Sequence, residues 1–109
     1  MQTVIYVLAK PNQQSLREYV VRDFKTYEFD GYWNVILEHK KGRVKGWAKI
    51  ERTDCYGSLN IEWDADAKTL IGRAVTRKGH HPNELVGHFV SYLLRWQRKR
   101  ISSIVVRTI

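Results

Sequence analysis

The 109-residue chain holds one cysteine, one methionine and two prolines, and it has no glycine-rich stretch. The single cysteine, Cys55, excludes an intramolecular disulfide framework and any multi-cysteine zinc cluster, and it suits a reducing compartment. No apolar run is long enough to span a bilayer. The opening MQTVIYVLAKPN also lacks the basic start and small-residue cleavage site of a secretory signal. A cytoplasmic protein without a membrane span is expected. Without repeats, linkers or low-complexity segments, residues 1–109 read as one domain.

Acidic residues are also scarce. Eleven Asp and Glu stand against nineteen Lys and Arg, for a net charge of +8. The first 37 residues are balanced, with four of each sign, and residues 73–109 carry eight cations against Glu84 alone. A basic half of this kind attracts phosphates or acidic protein surfaces through its summed field.

Aromatic residues, by contrast, are plentiful: four Trp, six Tyr and three Phe. The run TVIYVLA has the continuous apolar, β-branched character of a strand covered on both faces. A helix is expected over 15–27. Ser15 and Glu18 form a capping box, and Leu16, Val20, Phe24 and Tyr27 fall on one side. YWNVILEHK and RVKGWAKIER then read as a hairpin closed by Lys41-Gly42. In that register Trp33 faces Ile50, Val35 faces Ala48, and Glu38 pairs with Lys45. Trp33, Val35, Leu37, Val44, Ala48 and Ile50 would share the apolar face.

A second hairpin runs through YGSLNIEWD and TLIGRAVTR, with Leu59, Ile61 and Trp63 inward. Its last strand admits either Leu70 with Ala74 or Ile71 with Val75 as the buried set. Asn83 is the expected N-cap of a long helix with Leu85, Val86, Phe89, Val90, Leu93, Leu94 and Trp96 on its apolar stripe. ISSIVVRTI closes the chain as a strand. The order strand, helix, four strands, helix, strand predicts an α+β two-layer sandwich: a mostly antiparallel sheet of about six strands, with two helices on one face.

Such a sheet leaves its second face open. Arg43, Lys45, Trp47 and Lys49 fall there together with Tyr32 and Ile36, and aromatic rings among cations are what single-stranded nucleic acid stacks on. The plainer alternative is that lysine stems and neighbouring side chains cover Trp47. Arg77 and Lys78, before a helix N-terminus, form a second basic candidate. Arg95, Arg98, Lys99 and Arg100 at that helix's far end form a third, although such cations also complement a helix dipole.

His80, His81, Glu84 and His88 match no zinc-helix spacing. Cys55 has Asp54 and Tyr56 beside it but no sequence-neighbouring histidine. No catalytic residue, metal or cofactor is therefore assigned. The expected function is a small, basic, non-enzymatic binding protein contacting a polyanion, nucleic acid first. The alternative is a regulatory or adaptor protein that docks an acidic protein partner, or itself, around Trp47. A small hydrolase or nuclease using His80, His81 or His88 ranks third.

Overall fold

A computed structural model describes residues 1–8, 10, 12–26 and 31–108 of the chain. The elements are β1 (Gln2–Val7), α1 (Leu16–Thr26), β2 (Trp33–Leu37), β3 (Trp47–Arg52), β4 (Ser58–Asp64), β5 (Thr69–Val75), α2 (Asn83–Trp96), a 3-10 turn (Arg98–Arg100) and β6 (Ile101–Arg107). The strands form one sheet in the order β2-β3-β4-β5-β1-β6, with every neighbouring pair antiparallel. This is the α+β architecture that the element order predicts. Tyr27, expected to end the first helix's apolar stripe, lies outside the described residues, as do Ala9 and Ile109.

Local chemistry fixes the elements. Ser15 Oγ accepts the Glu18 N–H at 3.3 Å and opens α1. The β4–β5 turn closes on Asp64, whose Oδ1 accepts the N–H groups of Asp66 and Ala67, both at 3.0 Å. α2 begins one residue earlier than expected. Pro82 takes the N-cap position with its carbonyl accepting the Val86 N–H, so Asn83 is already helical and makes no side-chain cap.

Both helices lie on one side of the sheet, where Leu16, Val20, Val21, Phe24, Leu85, Val86, Phe89, Tyr92 and Leu93 pack against Ile5, Trp33, Ala48, Ile50, Leu59, Ile61 and Leu70. Phe24 stacks on Trp33 at 4.6 Å, and Phe89 meets the Trp33 edge at 6.1 Å. The choice left open for β5 resolves to the Leu70 set: Leu70 is fully buried, while Val75 is exposed.

The first hairpin departs from its expected register. Trp33 pairs with Arg52 and Val35 with Ile50, two residues from the predicted partners. A shift of two preserves side-chain parity, so Trp33, Ala48 and Ile50 are still buried on the helix side. The tight Lys41-Gly42 turn, however, is replaced by a long connection, because β2 breaks register after Val35 and β3 starts only at Trp47. Leu37 and Val44 consequently leave the apolar face and are exposed. Glu38 pairs with Lys25 of α1 at 2.7 Å, and not with Lys45.

Arg17 supplies the physical reason. Though charged, it is buried, and its guanidinium donates to the carbonyls of both Glu38 and Trp47. One α1 side chain thus holds both ends of the connection in place of cross-strand bonds.

The apolar stripe of α2 also needs revision. Tyr92 is buried, and Leu94 and Trp96 are half-exposed. Leu94 lies to the side of the core, in a groove shared with β6. Trp96 sits in the final turn, beyond the core, and lines a hollow with Trp33, Arg52 and His88. Tyr92 and Gln97 instead both donate to buried Asp23, at 2.5 and 2.7 Å. Burial, together with the Asp23 bond, raises the Tyr92 phenol well above its ordinary pKa. Tyr92→Phe takes one donor from a buried carboxylate and should destabilise the fold by about 1–3 kcal/mol, measured by urea unfolding.

Candidate functional site

Strand register decides which side chains share the open face. Lys49 pairs with Asn60, Asn60 with Arg73, Arg73 with Gln2, and Gln2 with Arg107. These five residues form a single row across β3, β4, β5, β1 and β6. At roughly 4.8 Å per strand the row is about 19 Å long. It contains three cations, two amides and no acid. Arg73 and Arg107 are exposed, and Lys49 is half-exposed. Asn60 Oδ1, between Lys49 and Arg73, is buried without a hydrogen-bond partner.

The neighbouring row is mainly apolar: Trp47, Glu62, Ile71, Val4 and Val105. Glu62, with Glu51 and Asp64 on the same face, flanks the cationic row without interrupting it.

Next to the row, toward the C-terminal end of β5, lies a hollow of about 430 Å³ lined by Lys49, Tyr56, Gly57, Ser58, Val75, Thr76, Arg77 and His80. Tyr56 is 69% exposed, and its ring centre lies 4.1 Å from that of His80. Gly57 makes the close approach possible. Its φ is +86°, and a Cβ there would lie 2.5 Å from the Val75 carbonyl oxygen. Thr76 Oγ1 donates to the His80 carbonyl at 3.1 Å, tying the loop to the end of β5.

The expected site residues are therefore redistributed. Lys49 and Arg77, from separate candidate clusters, meet at one hollow, with Lys78 exposed beside Arg77. Arg43 and Lys45 lie in the connection before β3 and outside the sheet. Arg95 lies in the last turn of α2, and Arg98 and Lys99 in the 3-10 turn that follows it, apart from the row.

Trp47 is the principal correction. Only 2% of its surface is exposed, so it offers no stacking platform. The connection folds back, Val44 accepts the Trp47 N–H at 3.1 Å, and the Arg43 guanidinium sits 5.5 Å from the ring centre.

Sequence reasoning missed Gln2, Asn60, Arg73, Arg107 and Tyr56. Arg73 and Tyr56 are visible as a strand cation and a turn aromatic, but the pairing of β1 with β5 and β6 has no local signature. The structure also brings His88 close to Cys55 and Asp54, with donor atoms within 4.8 Å of one another. Burial, and then Asp54, push the Cys55 thiol above its ordinary pKa, the opposite of what an activated nucleophile needs.

Comparison with protein-family models, curated proteins and solved structures finds no match. Among the described residues, no helix is long and apolar enough to cross a membrane.

Proposed function

We propose that the protein binds a polyanion, nucleic acid foremost, along the open sheet face. The acid-free row Lys49–Asn60–Arg73–Gln2–Arg107 carries this reading. Its cations repeat on alternate strands at about 10 Å, suited to following a phosphate backbone in one direction. The exposed Tyr56 ring, beside Lys49, His80 and Arg77, gives one unpaired base a surface to stack on. Asn60 and Gln2 add neutral hydrogen-bonding groups between the cations.

The test is fluorescence anisotropy with a single-stranded oligonucleotide across a salt series. Arg73→Ala, Arg107→Ala and Lys49→Ala should each reduce the log-log salt slope by about one unit. Tyr56→Ala should weaken binding by about 1–3 kcal/mol and leave the slope alone. Arg98→Ala, in the 3-10 turn, should leave both unchanged. Slopes that ignore all three row substitutions would defeat the proposal.

The docking of an acidic protein is the second reading, and a different place favours it. Val90, Leu94, Arg98, Ile101, Ile104 and Val106 line a groove between α2 and the edge strand β6. A mainly apolar lining that also holds Ser102, Ser103 and one cation, Arg98, fits a protein contact, whose affinity would depend much less on salt than phosphate binding does.

A further inference from the structure

The geometry points to a metal site on the helix side of the molecule: Cys55, Asp54 and His88 form a three-donor site for a thiophilic divalent cation, zinc in particular. The donors come from two distant segments, the turn after β3 and the middle of α2. A thiolate, a carboxylate and an imidazole are the donor types zinc takes, and three protein donors leave one position for water.

Distances support the assignment. Zinc holds sulfur at about 2.3 Å and oxygen or nitrogen at about 2.0–2.2 Å, so tetrahedral donors sit about 3.5 Å apart. Cys55 Sγ already lies 3.5 Å from Asp54 Oδ1. The imidazole completes a set within 4.8 Å, and exposed His88 needs only a side-chain adjustment to close on the ion. The turn is held for this: the Cys55 N–H bonds to the Arg52 carbonyl at 3.1 Å.

The carboxylate is oriented as well. The Arg52 guanidinium, itself buried, reaches Asp54 at 2.7 and 3.2 Å. A ligating carboxylate has lone pairs for both the cation and such an outer partner. A cysteine binds such a cation as the thiolate, so binding releases the thiol proton to solvent and affinity falls as pH falls.

Cobalt(II) titration of the reduced, full-length chain tests the site. The expected result is one cobalt per chain, a near-ultraviolet thiolate-to-cobalt band with tetrahedral ligand-field bands, and their loss when zinc is added. Cys55→Ser should remove the thiolate band while the circular dichroism stays native. His88→Ala should weaken binding by more than about 100-fold, beyond the usual cost of an outer-shell change. His81→Ala, an exposed histidine elsewhere, should leave the spectrum intact. No stoichiometric thiolate band, or a band indifferent to His88→Ala, or equal loss with His81→Ala, would each overturn the assignment.

Discussion

Phe89→Ala should lower unfolding free energy by about 3–5 kcal/mol, read from the urea midpoint at constant slope. The ring is fully enclosed on α2, between Trp33 at 6.1 Å and Tyr92 at 6.3 Å. A domain of this length has roughly 5–15 kcal/mol in all, so the variant stands near the edge of folding. Part of the loss is recoverable. Gly72 of β5 lies beneath the ring, and a Cβ there would meet Phe89 Cε2 at 3.7 Å and Ile61 Cγ2 at 3.9 Å, both ordinary contacts. Gly72→Ala should therefore be tolerated in the wild type. In the Phe89→Ala background it should recover more, since its methyl enters the new cavity; a double-mutant cycle measures the difference.

Phe89 illustrates what the sequence made legible. Phe89 and its neighbours recur at helical spacing on a long, strongly apolar stripe, and burial follows from that pattern. The alternation in β4 likewise places Leu59 and Ile61 inward, as observed. Periodicity fails where a polar group decides the geometry. Nothing in LREYVVRD marks Arg17 as a buried donor to two backbone carbonyls, yet that residue replaces the tight hairpin with a long connection. Buried Asp23 shows the same limit: its partners Tyr92 and Gln97 are sixty-nine and seventy-four residues away.

The candidate site was legible to an even smaller degree, for a topological reason. Lys49 was assigned to the open face from its own strand's alternation, and parity survived the change of register. Arg73 joins it through the successive pairings of β3, β4 and β5, but Arg107 lines up only because β1 inserts between β5 and β6. That arrangement depends on contacts across nearly the whole chain, and no local propensity encodes it. The meeting of His88 with Cys55 is long-range in the same way.

Trp47→Ala separates the role of this tryptophan in the fold from any role in binding. Alternation places Trp47 among Lys49 and Glu51 on the face away from the helices, where an accessible ring would contribute little to stability. It is nevertheless 2% exposed and lies outside the main core. The connection turns back where the Val44 carbonyl accepts the Trp47 N–H, and Arg43 adds a cation–π contact to the ring at 5.5 Å. Truncation removes a large enclosed ring and leaves a cavity beneath the connection, which Arg17, the Lys25–Glu38 pair and the Trp63 N–H bond to the Gly46 carbonyl still tether. A loss of about 3–5 kcal/mol is expected in urea unfolding, as for other buried aromatic residues. Arg43→Ala, which removes only the covering cation, should cost about 0.5–1 kcal/mol. Binding should respond in the opposite order. Once anisotropy is corrected for the folded fraction, Trp47→Ala should retain the wild-type salt slope and nearly wild-type affinity, because the phosphate-facing row lies on neighbouring positions. Arg73→Ala should unfold like the wild type and lose about one unit of slope. If Trp47→Ala instead folds with full stability and loses oligonucleotide affinity, the ring is a contact surface, and the enclosure around it opens when the polyanion binds.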